Sequence, residues 1–307
     1  TDAEARVAVQ AQYNAGYRIL KVYSNLTLEA FDAVLDEAGR LGMSVTGHSP
    51  EGVRMRGIPY KRPFSVPWEY SLTRGFTTLE HIETIVWHSL RDVLDDNRMR
   101  EVAAKLAASG EVVTPTLIAH KRLVMVAETE GAYLDRLGSD TINPLVSFMT
   151  QASAEHWSRV DSTVYERPHA EFFLTATQLL HKAGVTLIAG TDSGGFAIIP
   201  GASMARELEL LVEAGLSPHE ALASATQVSA EVLGFEKTGV IAPGYRANLV
   251  LLPDDPLTQI GAVEFPSGVM VRGHWIDKSG LEAMKESSRD TSFVRSAWRA
   301  LQLKLSL

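Results

Sequence analysis

Four side chains able to bind metal or carry protons recur in one kind of local context. They are Lys21 in YRILKVYS, His48 at the end of MSVTGH, His81 at the end of FTTLEH and Asp192 at the end of GVTLIAGTD. Each lies in or closes a short run of apolar and β-prone residues. Imidazole and carboxylate are ligands for zinc-class ions and carriers of protons. Lys21 is the unusual member, because alternation along its run puts Ile19, Lys21 and Tyr23 on one face and Leu20 and Val22 on the other. An isolated ammonium buried there is costly or loses its proton. Three chemistries resolve that cost: an ion pair, a neutral lysine used as a Schiff-base nucleophile, or reaction of the amine with carbon dioxide to give a carbamate. A carbamate offers one oxygen to each of two metals, and two imidazoles with a carboxylate suit the remaining positions. The four residues together favour the carbamate. Singly, each has a blander reading, as a hydrogen-bonded core histidine or, for Asp192 in GTDSGG, a turn or cap residue.

The elements that position these residues follow from periodicity. Thr1-Asp2 begins a capped helix closed by Gly16, and YRILKVY is a strand. Residues Thr27 to Leu41 read as an amphipathic helix before the strand MSVTGH. After the Pro/Gly/Arg-rich loop from Glu51 to Pro67 come a short helix near WEYSLTRG, the strand FTTLEH, a helix from Ser89 to Ser109 and the strand EVVTPT. Residues 117–182 are expected to be a mostly helical insertion, broken at LGSDTINP and YERPH and long enough for a lid. GVTLIAGTD is the fifth strand, followed by helices at SMARELELLVEAG and SPHEALASATQVSAEVLG.

Strand and helix alternate at roughly 30-residue intervals, the rhythm of a (β/α)8 barrel or a doubly wound sheet. Neither GxGxxG nor GxxxxGK[ST] occurs, so the barrel is preferred over a nucleotide-binding sheet. The expected organisation is α/β: a partial barrel over 1–238 holding strands four to eight, a small β domain over 239–277 and a C-terminal helix over 278–307.

Composition narrows the partners. The 307 residues include 45% hydrophobic and 21% charged, with a net charge of −8 and no basic stripe, which argues against nucleic acid or an anionic membrane surface. Apolar runs stay under about 10 residues, short of the roughly 20 that cross a bilayer. Without cysteine, any metal must be held by His, Asp, Glu or a modified side chain. A small molecule is the expected partner.

LKVYS, TGHS, LEHIE and AGTDSG in this order, with the later PGYRANLVLL passage, resemble the amidohydrolase superfamily, in the branch of imidazolonepropionase-like enzymes and Xaa-Pro and Xaa-Arg dipeptidases. The resemblance runs from about Tyr17 to Asp277 with the insertion between. It implies a carboxylated Lys21 bridging two divalent ions, zinc by preference and Mn, Fe or Co as alternatives. It also implies that His48 and His81 hold one metal and that Asp192 holds the other and moves the proton. The implied substrate is an amide, peptide or cyclic amide, and the implied setting a cytoplasmic or exported homo-oligomer. The family's first strand carries a His-x-His pair, and no HxH occurs in this chain. The expectation is that an upstream segment supplies that pair with the remaining strands, which an open sheet edge would need.

Other residues have weaker claims. Tyr23 shares the inward face of Lys21 and is a candidate substrate donor or a packed barrel tyrosine. His120, Lys121 and Arg122 follow TPTLI, where they could reach a substrate, Arg or Lys by pairing a terminal carboxylate, or begin an exposed helix. Phe148, Trp157, Phe172 and Phe173 are expected to pack between helices or roof the pocket, and the remaining histidines to be structural or solvent-facing. Two further functions stay open: a Schiff-base lyase with Lys21 as nucleophile, and a non-catalytic amidohydrolase-like protein retained for binding or assembly.

Overall fold

The computed structural model describes residues 1–52, 64–72, 74–194 and 196–306. Much of the loop expected between Glu51 and Pro67, and Gly195 of the GTDSGG stretch, lie outside the described residues. The first helix, α1 (Asp2–Asn14), starts where Thr1 and Glu4 satisfy each other's backbone N–H groups in a capping box. Strand β1 (Ile19–Val22) follows, then α2 (Leu28–Arg40), whose N-cap Thr27 accepts from Ala30 N. Strand β2 (Ser44–Gly47) ends one residue before His48. The short α3 (Trp68–Ser71) precedes β3 (Thr78–Glu80), and His81 is both the next residue and the N-cap of α4 (Ile82–Leu90).

The helix expected from Ser89 to Ser109 is two helices. Arg91 and Asp92 take positive φ values of 55° and 59°, which ends α4. Asp95 then caps α5 (Asp96–Ser109) through the N–H groups of Asn97 and Arg98. After β4 (Val112–Thr114) come α6 (Leu117–Glu128), single turns at Ala132–Asp135 and Ser139–Thr141, α7 (Pro144–Trp157) and α8 (Glu166–Lys182). YERPH is the start of α8 rather than a break, since Pro168 sits in the first turn, where its missing N–H costs nothing. Because α8 packs on α4, α5 and α6, it is an ordinary helix of the outer layer. The excess over a normal crossover is therefore residues 129–165, not 117–182.

Strand β5 (Thr186–Leu187) is shorter than GVTLIAGTD suggests, and an irregular stretch leads from it to Asp192. Helices α9 (Ala202–Glu213), α10 (Pro218–Ser224) and α11 (Gln227–Val232) follow, the last two separated at Thr226. Strands β6 (Leu249–Leu251), β7 (Gly268–Val271) and β8 (His274–Asp277) form an antiparallel three-stranded sheet. Its hairpin turns on Arg272 and Gly273, both left-handed. The C-terminal helix breaks into α12 (Lys278–Ser288) and α13 (Phe293–Ser306).

Strands β1 to β5 pair in sequence order and all in parallel. A doubly wound sheet reverses its order at a switch point; these five strands do not. One face of the sheet carries Val22, Val45, Leu79, Val113 and Leu187, all buried in the core shared with the helices. The opposite face is polar. Registers Lys21 with Thr46 and Thr46 with Thr78 put these three side chains in one row, where the two threonine hydroxyls bond each other and Glu80 Oε1. In a flat sheet the edge strands would stand about 19 Å apart, four spacings of roughly 4.8 Å. Instead Lys21 Nζ lies 3.8 Å from Asp192 Oδ1, so the strand ends converge. The chain is an α/β protein with five consecutive strands of a (β/α)8-type barrel and a small β-sheet unit.

Gly47 is where β1 and β2 come closest. Its φ is 127°, and a Cβ there would collide with the Val22 backbone. Gly47→Ala is expected to lower stability by about 2 kcal/mol or more in urea unfolding; a change within a few tenths would show that the approach is not tight.

Candidate active site at the strand ends

Each candidate side chain is delivered by a strand end and fixed by a second residue. The His48 N–H donates to Val22 O at 3.2 Å, anchoring the residue across the β1–β2 pair. Its ring is 8% exposed, with Nδ1 2.9 Å from Glu51 Oε1, and its Nε2 is buried without a hydrogen-bond partner. The Glu51 carboxylate only accepts, so Nδ1 carries the hydrogen and Nε2 presents a lone pair. The His81 N–H donates to Thr114 O at 2.9 Å, and its Nδ1 lies 2.7 Å from Thr116 Oγ1. That hydroxyl spends its own hydrogen on Pro115 O at 2.8 Å. It therefore accepts from His81 Nδ1–H, which leaves Nε2 as the lone-pair nitrogen of this ring too.

The two imidazoles meet edge to face at 4.8 Å, and Tyr23 stacks on His48 at 4.3 Å. Burial, and then His48, hold His81 below the usual histidine range, while Glu83 and Asp192 oppose the shift and Lys21 adds to it. The neutral ring is the form that binds a cation. Backbone strain gathers at the same place: His81, Thr116 and Asp192 have φ values of 70°, 47° and 53°. Non-glycine residues held there cost of order 1–3 kcal/mol each and need surroundings that enforce them.

Lys21 departs from the expectation of burial. Its side chain is 40% exposed, and its charge is met by Asp192 rather than lost. Tyr23 is likewise exposed and not packed in an interior. His120 is not on an exposed helix start. It is 6% exposed, with Nε2 donating to Glu166 O at 3.0 Å and Nδ1 3.6 Å from Glu83 Oε2, so it ties α6 to α8 and α4. Arg122, on α6, is half-buried, and its buried Nε and Nη1 have no hydrogen-bond partner. Phe172 and Phe173 are core residues of α8, whereas Phe148 is exposed. His88 is structural: it bonds Ser49 Oγ and Val66 O, and burial pushes it down to about 4.

The supporting residues Glu51, Thr116, Glu83 and Glu207 escape a reading of the sequence. Glu51 stands three residues after His48, a spacing that could have flagged it; the partners of Glu207 are about 90 residues away. A cavity of about 500 Å³ begins at Gly194, next to the Asp192 turn, and is lined by Leu134, Ile142, Val146, Phe196 and Ile198 among others. A larger one, about 1130 Å³, lies between the end of α6 and α7 and contains none of the candidate residues.

The model of the Amidohydrolase family matches residues 77–276. The chain belongs to the amidohydrolase family. Ochratoxinase from Aspergillus niger is 33% identical over 118 residues, covering 38% of this chain and 22% of that protein. Imidazolonepropionase from Vibrio vulnificus (strain YJ016) is 31% identical over 131 residues, 38% of this chain and 31% of that protein. Among solved structures, a bottromycin amidohydrolase superposes with a TM-score of 0.70 at 23% identity, covering 94% of this chain and 63% of its own. The chain thus spans less than two thirds of the length of each of these relatives.

Metal dependence is the chemistry that an amidohydrolase assignment brings, and the two histidines fit it. Both are clamped at Nδ1 by an acceptor, the second-shell arrangement of metal-ligating imidazoles, and His48 Nε2 is an orphaned buried donor site. Among the described residues no group of three or more His, Asp or Glu is arranged to hold a metal ion.

Glu207 fixes the approach of α6 to this site. Its fully buried carboxylate accepts from Leu117 N at 3.0 Å and Ile118 N at 2.8 Å. Burial nonetheless outweighs these donors and pushes its pKa from 4.5 up to about 7. The folded protein then holds the proton more tightly than the unfolded chain does. This contribution to stability is full below pH 4.5 and is lost as pH rises towards 7. Urea unfolding at pH 5 and 7.5 should show wild type losing about 2 kcal/mol more than Glu207→Gln over that interval; equal slopes would refute the shift.

Proposed function

We propose that this chain is the main catalytic part of a metal-dependent hydrolase that cleaves an amide, peptide or cyclic amide C–N bond, within the imidazolonepropionase and Xaa-Pro dipeptidase branch of its family. The observation that carries the reading is the pair of buried imidazoles, one with an unpartnered buried Nε2, with the Lys21 and Asp192 side chains converging to 3.8 Å beside them. On this reading His48, His81, Asp192 and Lys21, the last as its carbamate, are the residues of this chain that would hold divalent cations, His48 and His81 one of them and Asp192 another. Zinc is the expected ion, with Mn, Fe or Co accepted by the same donors. Bound there, such ions lower the pKa of water towards neutrality and polarise a carbonyl.

The residues themselves have separable duties. Glu51 and Thr116 fix the tautomer in which Nε2 is the free nitrogen of each imidazole and hold the rings in place. Asp192, held in its left-handed turn, takes a proton from the attacking water and delivers it to the departing nitrogen. The water's oxygen becomes the new bond at the carbonyl carbon, the C–N bond breaks, and the nitrogen leaves with the proton. Tyr23 is placed to donate to the substrate, whereas His120 acts indirectly by holding Glu83 and α8. The division into a barrel over 1–238, a β domain over 239–277 and C-terminal helices over 278–307 belongs to the same proposal. So do a homo-oligomeric assembly and a cytoplasmic or exported location.

Elemental analysis of the intact protein tests the reading, together with a screen of dipeptides and N-acyl amino acids. About two divalent ions per chain are expected, and Lys21→Ala should lose them along with at least about 10³-fold of turnover. Turnover that survives Lys21→Ala would overturn the proposal. Borohydride trapping of a substrate adduct on Lys21 would replace it with Schiff-base chemistry.

A further inference from the structure

The guanidinium of Arg122 is the charged group in this region that the chemistry above leaves unused. It sits on the second turn of α6, whose first turn begins at the end of β4, on the same side of the sheet as His81 and Asp192. Its Nε and Nη1 are buried and unpartnered, and it makes no hydrogen bond or ion pair with another described residue. Desolvation pulls its pKa down, and Glu83, Asp192 and Tyr133 are close enough to push it back. Arginine stays charged in proteins, so two buried guanidinium nitrogens without partners are a cost the fold carries. The nearby groups do not remove that cost. Glu83 stands beside His120, and Asp192 is paired with Lys21.

The shape of the unfilled place defines what fills it. Each open edge of the planar cation, Nε with Nη2 or Nη1 with Nη2, presents two parallel N–H groups that match the two oxygens of a carboxylate, and the match is weaker for a single carbonyl. We infer that Arg122 receives a carboxylate of the substrate, so that the amides turned over at the proposed site are N-acyl amino acids or peptides with a free carboxyl group. The inference rests on the hydrolase reading for the bond that is cut, but not for the binding of the carboxylate. The cavity that starts beside Asp192 adds a second preference. Leu134, Ile142, Val146, Phe196 and Ile198 line it, which suits an apolar side chain on the same substrate.

Two probes that differ only in the carboxylate isolate the effect: N-acetyl-L-phenylalanine and N-acetyl-phenethylamine. Calorimetric titration of the intact protein, with and without added zinc, is expected to show a preference of about 10- to 100-fold for the first, the range of a charge-assisted pair. Arg122→Met should abolish that preference, and Arg122→Lys, which keeps the charge but not the fork, should restore only part of it. The ratio is taken within each protein, so any loss of folded fraction cancels, and circular dichroism reports the fold separately.

If the two probes bind equally to wild type, if N-acetyl-L-phenylalanine does not bind, or if the preference survives in Arg122→Met, the inference is wrong. An Arg122-dependent preference without hydrolysis of any N-acyl amino acid would sink the hydrolase reading while leaving this one standing. Hydrolysis indifferent to the carboxylate would do the reverse.

Discussion

The contact between Lys21 and Asp192 is the constraint on which the rest of the molecule turns. The two residues belong to the first and last strands of the five-stranded sheet, or to the loop just beyond it, yet their charged atoms are 3.8 Å apart. Curvature of the sheet and the irregular stretch after β5 together close a gap that a flat sheet would leave open. Once the strand ends converge, His48 and His81 fall between the two charges, because β2 and β3 lie between β1 and the later strands. The site is a consequence of sequential parallel pairing more than of any single motif.

Holding that site in place requires compensation at several levels. Three of its residues keep a left-handed backbone that only tight surroundings enforce. His81 is tied through its own N–H to Thr114 O and through its ring to Thr116, and Thr116 to Pro115. Glu207 closes the N-terminus of α6 from the helix layer. These hydrogen bonds run from the strand ends into the outer helices. A change on α9 therefore acts on the position of α6, and through it on the surroundings of His81, without touching a reacting atom. The outward face, from Val22 to Leu187, supplies the apolar burial that makes such a polar mouth affordable.

Family membership and the fold agree with that picture while leaving chemistry to the side chains. A barrel fold hosts many reactions, and its reaction is decided by the residues at the strand ends. Here those residues are two clamped imidazoles, an amine, a carboxylate and, one turn further out, an unpaired guanidinium. The 129–165 segment, which ordinary crossovers lack, lines the apolar cavity beside Asp192. That is where variation among relatives would be expected to act on substrate choice.

The sequence by itself determined the alternation of strands and helices, the capped start of α1, the amphipathic α2, the face that Lys21 shares with Tyr23, and the placing of Lys21, His48, His81 and Asp192 at or near strand ends. Those are local properties, read from periodicity of two or 3.6 residues and from capping chemistry. Sequence reading erred where tertiary contacts or local backbone chemistry override a pattern. It fused α4 and α5 across the left-handed Arg91 and Asp92, assigned α8 to an insertion although it packs in the outer layer, and expected Lys21 to be buried. Only the tertiary structure decided which nitrogen of each imidazole is free, that two buried nitrogens of Arg122 have no partner, and that Glu207 reaches α6 from about 90 residues away. Tautomer, burial and long-range hydrogen bonds depend on what stands across space from a residue, and no window along the chain contains that information.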